Sequence, residues 1–436
     1  MLRKLDMLYC AVSRYLCALL PLFAPAPAAA DLLAYVRKPD PASAWHAVGN
    51  RALGAGTVHT LRLVSQSWQG SAWQHDLRLY MPDQRKNHST LLLFVTGDGG
   101  GGDESAMRLA HSLRAPVGVL GEVPNQPLLD GKVEDDLIAE SFLRYLATGD
   151  AEWPLLLPMT KSIVRAMDAL QAFARQALGR EVQGFVLTGA SKRGWASWLA
   201  AAADPRVRGV APRVIDMLDV AAQMPHQLAS WGVYSEMLQP YTDPGLPSFI
   251  DTPGGRRLLA MVDPHAYRDR LAMPKLILLG TNDRYWTLDA LNLYWDALPG
   301  AKHVLYVPNA GHALHEAHWT DTLACFFEQV AAREALPELQ WRHTRTGASL
   351  ELSVRAAPAP RKATLWRTTS PTRDFREAQW EALDVPAGAA QVRAEVALSP
   401  GEYTAAFIAL GFTLNGRDCS FSTQVRIEPP TQSPVR

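Results

Sequence analysis

The sequence predicts an α/β protein in which a mostly parallel sheet carries helices on both faces and a small β-sandwich follows. Three observations lead to this fold class. Short apolar runs alternate with helical segments between residues 91 and 307, which is typical of a parallel sheet covered on both sides. A long aromatic-rich segment interrupts this alternation at 216–274, and short alternating runs punctuated by Pro and Gly begin at about 337.

Residues 1–30 have the pattern of a secretory signal peptide. Arg3 and Lys4 precede an apolar stretch that runs through Phe23, and small residues end at Ala30. The apolar core is too short and too rich in proline for a bilayer-spanning helix. We therefore expect cleavage near Ala30 and an exported protein, periplasmic or secreted, without a membrane span.

Residues 31–336 are predicted to form the α/β domain. The alternating runs 57–64 and 75–80 indicate half-buried antiparallel strands. A helix over 161–178 follows from apolar residues spaced three and four apart. The insertion 216–274 is predicted to be a lid over the carboxyl edge of the sheet, because such long loops usually serve a function. Buried strands are predicted at 91–95, 117–120, 185–187, 207–211, 276–279 and 304–307.

The region 337–428 is predicted to be a β-sandwich of the immunoglobulin or fibronectin-III kind. Turn signals between short alternating runs favour this architecture. A disordered tail is predicted for 429–436. The runs that carry the sandwich prediction are 350–354, 363–366, 391–396, 403–408 and 421–427.

Two cysteines remain beyond the predicted signal peptide, Cys325 and Cys419. An oxidising compartment allows them to pair. Cys325 lies in an apolar helical run, however, so a buried free thiol is the preferred interpretation.

Charge and metal-ligand patterns narrow the classes of partner. Lys plus Arg and Asp plus Glu both total 43, a balance that argues against a nucleic-acid binder. The pair His315 and His318 flanks Glu316, but the second histidine comes one residue too early for the His-Glu-x-x-His zinc motif. We therefore expect no metal and no cofactor, and the oligomeric state stays open.

An apolar run ends at Gly189-Ala190-Ser191 and turns at once into a helix-compatible sequence. This is the pattern of a nucleophile elbow, which presents a serine hydroxyl above a sheet. Ser191 is the candidate nucleophile, although the second glycine, Gly194, comes one place later than in G-x-S-x-G. The alternative is that Ser191 only caps the following helix.

A serine nucleophile needs an imidazole base and a carboxylate that orients it. Asp283 and His312 each follow a predicted strand, and the order Ser191, Asp283, His312 is that of an α/β-hydrolase triad. Asp283 has a turn-closing alternative. His315 and His318 compete with His312, which is preferred because it follows Gly311 at the mouth of its strand.

The oxyanion and substrate contacts have candidates near these residues. The backbone amide of Lys192 and the glycine loop at Gly97 and Asp98 are predicted oxyanion donors, since no Gly-Lys-Ser/Thr follows the glycines as in a phosphate-binding loop. Lys192 and Arg193 are candidates for a substrate carboxylate, but for Arg193 an internal ion pair with Asp216 or Asp219 is preferred. The other predicted substrate-binding residues are Trp286 and, in the lid, Trp231.

Several short sequence motifs resemble those of the PhoPQ-activated pathogenicity-related proteins, a secreted α/β-hydrolase-like group. This resemblance implies a hydrolase domain with a C-terminal β-sandwich, a triad on Ser191, Asp283 and His312, and an envelope-stress or host-interaction role in a bacterium. The motifs are Pro-Asn-Gln-Pro at 124–127, Glu-Asp at 134–135, Trp-Pro-Leu-Leu-Leu-Pro-Met-Thr-Lys-Ser at 153–162, Ala-Met-Asp at 166–168, Thr-Gly-Ala-Ser-Lys-Arg-Gly-Trp at 188–195, Asp204, Val-Ile-Asp at 214–216, Gly-Thr-Asn-Asp-Arg-Tyr-Trp at 280–286 and Pro-Asn-Ala-Gly-His at 308–312.

The leading hypothesis is an exported serine hydrolase that cleaves an ester or amide. The elbow is also similar to the Ser-Arg-x-Gly of glucuronoyl esterases, which implies a side-chain contribution of Lys192 at the oxyanion. A carbohydrate esterase and a peptidase are therefore open alternatives. A binding or signalling protein on an inactive hydrolase scaffold is the alternative outside the enzymes, because a fold does not guarantee an activity.

Overall fold

The computed structural model describes residues 32–86, 88–98, 102–314 and 318–431 of the 436-residue chain. The predicted signal peptide and residues 432–436 of the predicted tail lie outside the described residues. Within the described ranges, no helix has both the length and the apolar character that a membrane span requires.

The α/β part of the main sheet confirms the predicted parallel core. Strands β4 to β9 pair in parallel in the order β5-β4-β6-β7-β8-β9, and β1 to β3 extend the sheet antiparallel beyond β5. Every predicted strand in this part lies within one of the observed strands. They are β1 (Ala44–Ala52), β2 (Gly56–Trp68), β3 (Ser71–Pro82), β4 (Thr90–Val95), β5 (Val117–Leu120), β6 (Gly184–Ala190), β7 (Val207–Arg213), β8 (Lys275–Gly280) and β9 (Lys302–Val307).

Helices cover both faces of this sheet and bury two apolar layers. The helix predicted at 161–178 begins earlier, at Leu156, because Pro158 is tolerated in a first helical turn. The α-helices are α1 (Leu32–Arg37), α2 (Asp103–Leu113), α3 (Glu134–Thr148), α4 (Leu156–Leu178), α5 (Lys192–Ala203), α6 (Val220–Trp231), α7 (Gln239–Thr242), α8 (Pro253–Val262) and α9 (His318–Ala332). One layer holds α4 and α5, and the other holds α2 and α9.

The predicted lid segment consists of short helices. It contains α6, α7 and α8 and three 3-10 turns, Glu236–Leu238, Leu246–Phe249 and Pro264–Arg270. A hydrogen bond joins it to α5: the Trp195 indole N–H donates to the carbonyl of Val262 at 2.5 Å. Within the segment, Asp263 accepts from the backbone N–H of Val220 at 2.9 Å. The lid therefore has a fixed base beside α5.

The C-terminal region is a β-sandwich, as predicted. A three-stranded sheet in the order β10-β11-β14 faces a layer built from β12, β13, β15, β16 and β17. Apolar side chains of both layers share one core. The strands are β10 (Glu338–Thr346), β11 (Ser349–Ala357), β12 (Lys362–Ser370), β13 (Glu381–Val385), β14 (Gln391–Ala397), β15 (Tyr403–Leu414), β16 (Arg417–Ser422) and β17 (Arg426–Glu428).

The run predicted as one strand at 421–427 is divided in the structure. β16 pairs Ser422 with Ala409, whereas β17 pairs Arg426 with Ala406. The register on β15 therefore shifts by one residue between the two strands, as in a β-bulge, and residues 423–425 leave the ladder. Part of the predicted tail is also described, since Thr431 bridges to Pro400.

The sandwich also continues the main sheet. Ser422 of β16 pairs antiparallel with Val304 of β9, so fourteen of the seventeen described strands form one sheet. The edge of β9, the last parallel strand, is therefore covered by the C-terminal module. The boundary placed between residues 336 and 337 stays a prediction.

The preference for a buried free thiol was wrong. Cys325 of α9 and Cys419 of β16 form a disulfide, with their Cα atoms 6.1 Å apart. Both side chains are buried, because α9 packs directly against β16. The sequence showed the burial of Cys325 but not the distance to a residue 94 positions away.

Candidate active site

Ser191 occupies the sharp turn between β6 and α5 that the sequence predicted. Its φ of 54° and ψ of −131° are a combination that non-glycine residues rarely adopt, and such strained residues cluster at functional sites. The turn is held on both sides: the Ser191 N–H donates to the Arg213 carbonyl at 2.8 Å, and the Ser191 carbonyl accepts from Trp195 N–H at 3.0 Å.

Gly194, which stands one residue later than the second glycine of G-x-S-x-G, is compatible with this elbow. A Cβ on Gly189 would lie 2.7 Å from backbone atoms of Arg193, and a Cβ on Gly194 would lie 2.8 Å from the Gly189 carbonyl oxygen. Strand and helix therefore approach too closely for any side chain at either position. Gly194 provides this space although it stands one residue beyond the usual position.

Asp283 and His312 meet above neighbouring strands. Asp283 follows β8, His312 follows β9, and His312 Nδ1 lies 2.9 Å from Asp283 Oδ2 and 3.1 Å from Oδ1. Because a carboxylate only accepts, Nδ1 carries the proton and Nε2 is left with a lone pair. Nε2 is buried and has no hydrogen-bond partner among the described residues, so it is available as a base.

Ser191 and His312 line the same cavity, which has a volume of about 120 Å³. No hydrogen bond of normal length joins the Ser191 hydroxyl to His312 among the described contacts. Catalytic hydrogen bonds are often long in enzymes without substrate and tighten when substrate binds. The structure thus brings the serine, the histidine and the aspartate to one rim of the sheet.

The walls of this cavity are largely apolar and come from both the body and the lid. The lid segment contributes side chains to the cavity that Ser191 and His312 also line, and its bounds at 216–274 stay a prediction. The apolar lining side chains are Phe142, Leu146, Trp195, Ile215, Met217, Val220, Met224, Leu238, Leu246, Pro247, Phe249, Ile250, Leu258, Leu259 and Val262.

The preferred internal partner of Arg193 was wrong. Arg193 does not pair with Asp216 or Asp219; its guanidinium binds both carboxylate oxygens of Glu134, at 2.6 and 2.7 Å. Asp216 instead accepts from the Tyr294 hydroxyl at 2.6 Å, and burial raises the pKa of Asp216 to about 7. The chain distance between residues 134 and 193 hid this pair from sequence reasoning.

Lys192 shares the same carboxylate cluster. Its ammonium lies 2.7 Å from Glu134 and 3.3 Å from Asp135, and its side chain is only 7% exposed. Its backbone N–H is the first of α5, where no intrahelical acceptor exists. That amide is therefore not used within the helix, and its role as an oxyanion donor stays a prediction.

Glu134 is fixed by its backbone as well as by these cations. It adopts a φ of 52°, its N–H donates to the Gln126 side chain at 2.8 Å, and Gln126 donates back to its carboxylate at 2.5 Å. Burial would raise the pKa of Glu134, but the hydrogen bonds from Arg193 and Lys192 outweigh it and hold the pKa well below its usual 4.5.

We expect Glu134→Gln to lower the free energy of unfolding by about 1–2 kcal/mol, because it removes the carboxylate that Arg193 and Lys192 share. The value is below that of a fully buried pair, because Glu134 is 40% exposed and solvent screens part of the interaction. Because the pKa of Glu134 is lower in the folded than in the unfolded protein, this stabilisation depends on pH. It is complete above about pH 5 and is lost as the pH falls below 4.5. Urea unfolding at pH 7 and at pH 4 measures both effects. Glu104→Gln on α2 is the control, since its i,i+4 pair with Arg108 is exposed, at 82% for Glu104 and 68% for Arg108. Equal loss in both variants would contradict the expectation.

The predicted oxyanion donors of the glycine loop lie one strand away from the elbow. Gly97 follows β4, which pairs with β6, and a Cβ there would overlap the Arg193 guanidinium. The Asp98 N–H donates to the Thr96 hydroxyl at 3.3 Å. Neither residue lines the cavity, and residues 99–101 lie outside the described residues. The oxyanion role of Gly97 and Asp98 stays a prediction.

The two predicted tryptophans have different positions. Trp286 lines the cavity beside Tyr285. Trp231, at the end of α6, does not; the Arg376 guanidinium stacks over its ring at 4.3 Å. Trp231 therefore joins the lid to the C-terminal module, and its aromatic character alone could not distinguish this role from substrate contact.

Sequence reasoning missed the residues that hold the acid loop, 281–286 with Asp283, and the base loop, 308–312 with His312. The Tyr285 ring lies on the His312 ring with centroids 4.2 Å apart. The Asn282 amide donates to the carbonyl of Ala378 at 2.7 Å, and Asn309 accepts from the Trp380 N–H at 2.7 Å. The only signal was their position inside the motifs at 280–286 and 308–312.

The structure does not test the histidine pair at 315 and 318. His315 lies outside the described residues, and His318 begins α9. Among the residues that are described, no three His, Cys, Asp or Glu side chains group as metal ligands.

Comparisons with solved structures agree with this architecture. Acetyl xylan esterase 1 from Thermoanaerobacterium sp. JW/SL YS485 aligns with a TM-score of 0.51 and 16% identity, over 69% of this chain and 91% of that one. An acetyl xylan esterase from Paenibacillus sp. R4 aligns with a TM-score of 0.51 and 14% identity, over 69% and 92%. At such identities the likeness establishes the fold, a hydrolase-like α/β scaffold.

Sequence comparisons identify the family. The chain is 32% identical over 374 residues to autocrine proliferation repressor protein A of Dictyostelium discoideum. The alignment covers 78% of this chain and 75% of the relative. The sequence model of the PhoPQ-activated pathogenicity-related proteins matches residues 32–376, a span that contains the elbow, the acid loop and the base loop. The chain therefore belongs to the PhoPQ-activated pathogenicity-related protein family.

Proposed function

We propose that this protein is an exported serine hydrolase that cleaves an ester or amide through an acyl-enzyme on Ser191. One observation carries the proposal. The Asp283–His312 hydrogen bond leaves an imidazole nitrogen without a partner among the described residues, and His312 lines the cavity that the elbow serine also lines. This arrangement supplies a nucleophile, a base and an orienting carboxylate.

In the proposed reaction, the Ser191 hydroxyl oxygen attacks the substrate carbonyl while His312 Nε2 takes the hydroxyl proton. Asp283 stabilises the resulting imidazolium through Nδ1–H. The Lys192 amide, with an amide from Gly97 or Asp98, holds the developing oxyanion. His312 then gives its proton to the leaving alcohol or amine, and water hydrolyses the acyl-enzyme by the same steps.

Export of the protein is part of this proposal. The predicted signal peptide directs it out of the cytoplasm, and the disulfide between Cys325 and Cys419 is the kind of bond that persists in oxidising compartments. Together with the family, these features support a role in the envelope-stress response or virulence of a bacterium.

A second function has one observation in its favour. The relative from Dictyostelium discoideum is described by its name as an autocrine proliferation repressor, which is a signalling role. The alternative proposal is therefore a binding or signalling protein that retains the hydrolase scaffold without its chemistry.

Labelling with a fluorophosphonate probe separates the two functions. We expect the folded wild-type protein to label on Ser191, and Ser191→Ala and His312→Ala to remove the label. Ser197→Ala is the matched control, because this hydroxyl lies on the same helix and only bonds to the Arg193 carbonyl. Absence of labelling in folded wild-type protein would favour the signalling function.

A further inference from the structure

The cavity that Ser191 lines is suited to bind an apolar group. Apart from the reactive serine and histidine, its described charged side chains and several of its other polar groups already have partners within the protein. Asp135 accepts from the Tyr241 hydroxyl at 2.9 Å and pairs with Lys192 at 3.3 Å. The Trp195 indole N–H is bonded to the lid.

These internal pairs bear on the kind of substrate. A sugar brings many hydroxyl groups, each of which costs free energy when it is buried without a partner. A substrate carboxylate would need an uncommitted cation, but Lys192 is already paired with two carboxylates. An apolar group needs neither, and it gains free energy in proportion to the area it removes from water.

We propose that this cavity binds the acyl group of the substrate, and that the group is an aliphatic chain of about four to eight carbons or a phenyl ring. The size follows from the volume of about 120 Å³, since an apolar cavity of about 150 Å³ in another protein accommodates benzene. The inference rests on the proposed function, because it assigns a substrate class to the same serine.

The acyl part, rather than the alcohol part, belongs in this cavity because of the order of events. When the ester C–O bond breaks, the acyl carbon stays bonded to the Ser191 oxygen and the alcohol departs with the proton from His312. A roofed chamber beside the nucleophile suits the group that remains bonded, since the alcohol must leave before water enters.

A series of p-nitrophenyl esters tests the chain length with one leaving group. We expect kcat/KM to rise about fourfold for each methylene from acetate to hexanoate, and to stop rising beyond octanoate. Acetate esters of ethanol and hexanol provide the complementary series. Equal rates for acetate and hexanoate, or a gain that follows the alcohol chain instead, would overturn the proposal.

A cavity-filling variant tests the location. Leu258→Trp, on α8 in the cavity wall, should reduce the hexanoate-to-acetate ratio of kcat/KM at least about tenfold. Ala260→Trp, exposed on the same helix, should leave the ratio unchanged. An unchanged ratio in Leu258→Trp would place the acyl group elsewhere.

Fluorophosphonate labelling of each protein distinguishes a failure of the acyl-cavity inference from a failure of the proposed serine-hydrolase function. A wild-type protein that labels on Ser191 but prefers acetate retains the serine-hydrolase function and overturns the acyl-cavity inference. A wild-type protein that neither labels nor turns over any ester overturns the proposed function itself, and the acyl-cavity inference with it.

Discussion

Asp283→Asn should lower kcat by about 10⁴-fold while the protein remains folded. The carboxylate accepts the Nδ1 proton of His312 through both oxygens, which keeps Nε2 free to take the serine proton. An amide at this position can donate to Nδ1, so the imidazole would carry its proton on Nε2 and could not act as the base. Steady-state hydrolysis of p-nitrophenyl butyrate measures the loss.

Asp289→Asn is the matched control for this variant. Both aspartates are little exposed, at 11% for Asp283 and 12% for Asp289, and both contact a histidine. Asp289 pairs with His226 and Arg373 outside the cavity wall. We expect its loss to affect stability and to leave kcat of the folded protein within about threefold. A similar kcat for wild type and Asp283→Asn would refute the assignment of the orienting acid.

The double variant Cys325→Ala, Cys419→Ala should lower the free energy of unfolding by about 4 kcal/mol. The disulfide closes a loop over a sequence separation of 94 residues, and the restriction of the unfolded chain grows with the length of the loop. Equilibrium urea unfolding in the absence of reductant measures the difference as a shift of the midpoint.

Reductant supplies the control for the disulfide. Dithiothreitol should lower the unfolding midpoint of the wild-type protein toward that of the double variant, and should leave the double variant unaffected. If the wild-type midpoint is the same with and without reductant, and equals that of the variant, the bond does not stabilise the protein.

The sequence was sufficient for the features that depend on local patterns. Each buried strand from β4 to β9 is a short continuous apolar run, because the strands of a parallel sheet are covered on both faces. Small residues around Ser191 predicted the elbow, since a sharp strand-to-helix turn leaves no space for side chains. Asp283 and His312 were accessible to the same reasoning because both directly follow strands.

Contacts between distant segments were beyond sequence reasoning. Arg193 required a partner, but several carboxylates qualified, and only the placement of α3 beside α5 selects Glu134. The distance between Cys325 and Cys419 depends on how the sandwich packs against α9. Trp231 and Trp286 are equally plausible substrate contacts by residue type. Only the tertiary structure shows that Trp231 contacts the C-terminal module and that Trp286 lines the cavity.

The segment at 375–380 has a consequence for how the two halves of the chain depend on each other. Its carbonyl and amide groups hold Asn282, next to the acid, and Asn309, three residues before the base. The C-terminal module thus contacts the two loops that carry Asp283 and His312. Trimming it or exchanging it for another module should therefore release both loops, and we expect the proposed activity to require this segment of the C-terminal module.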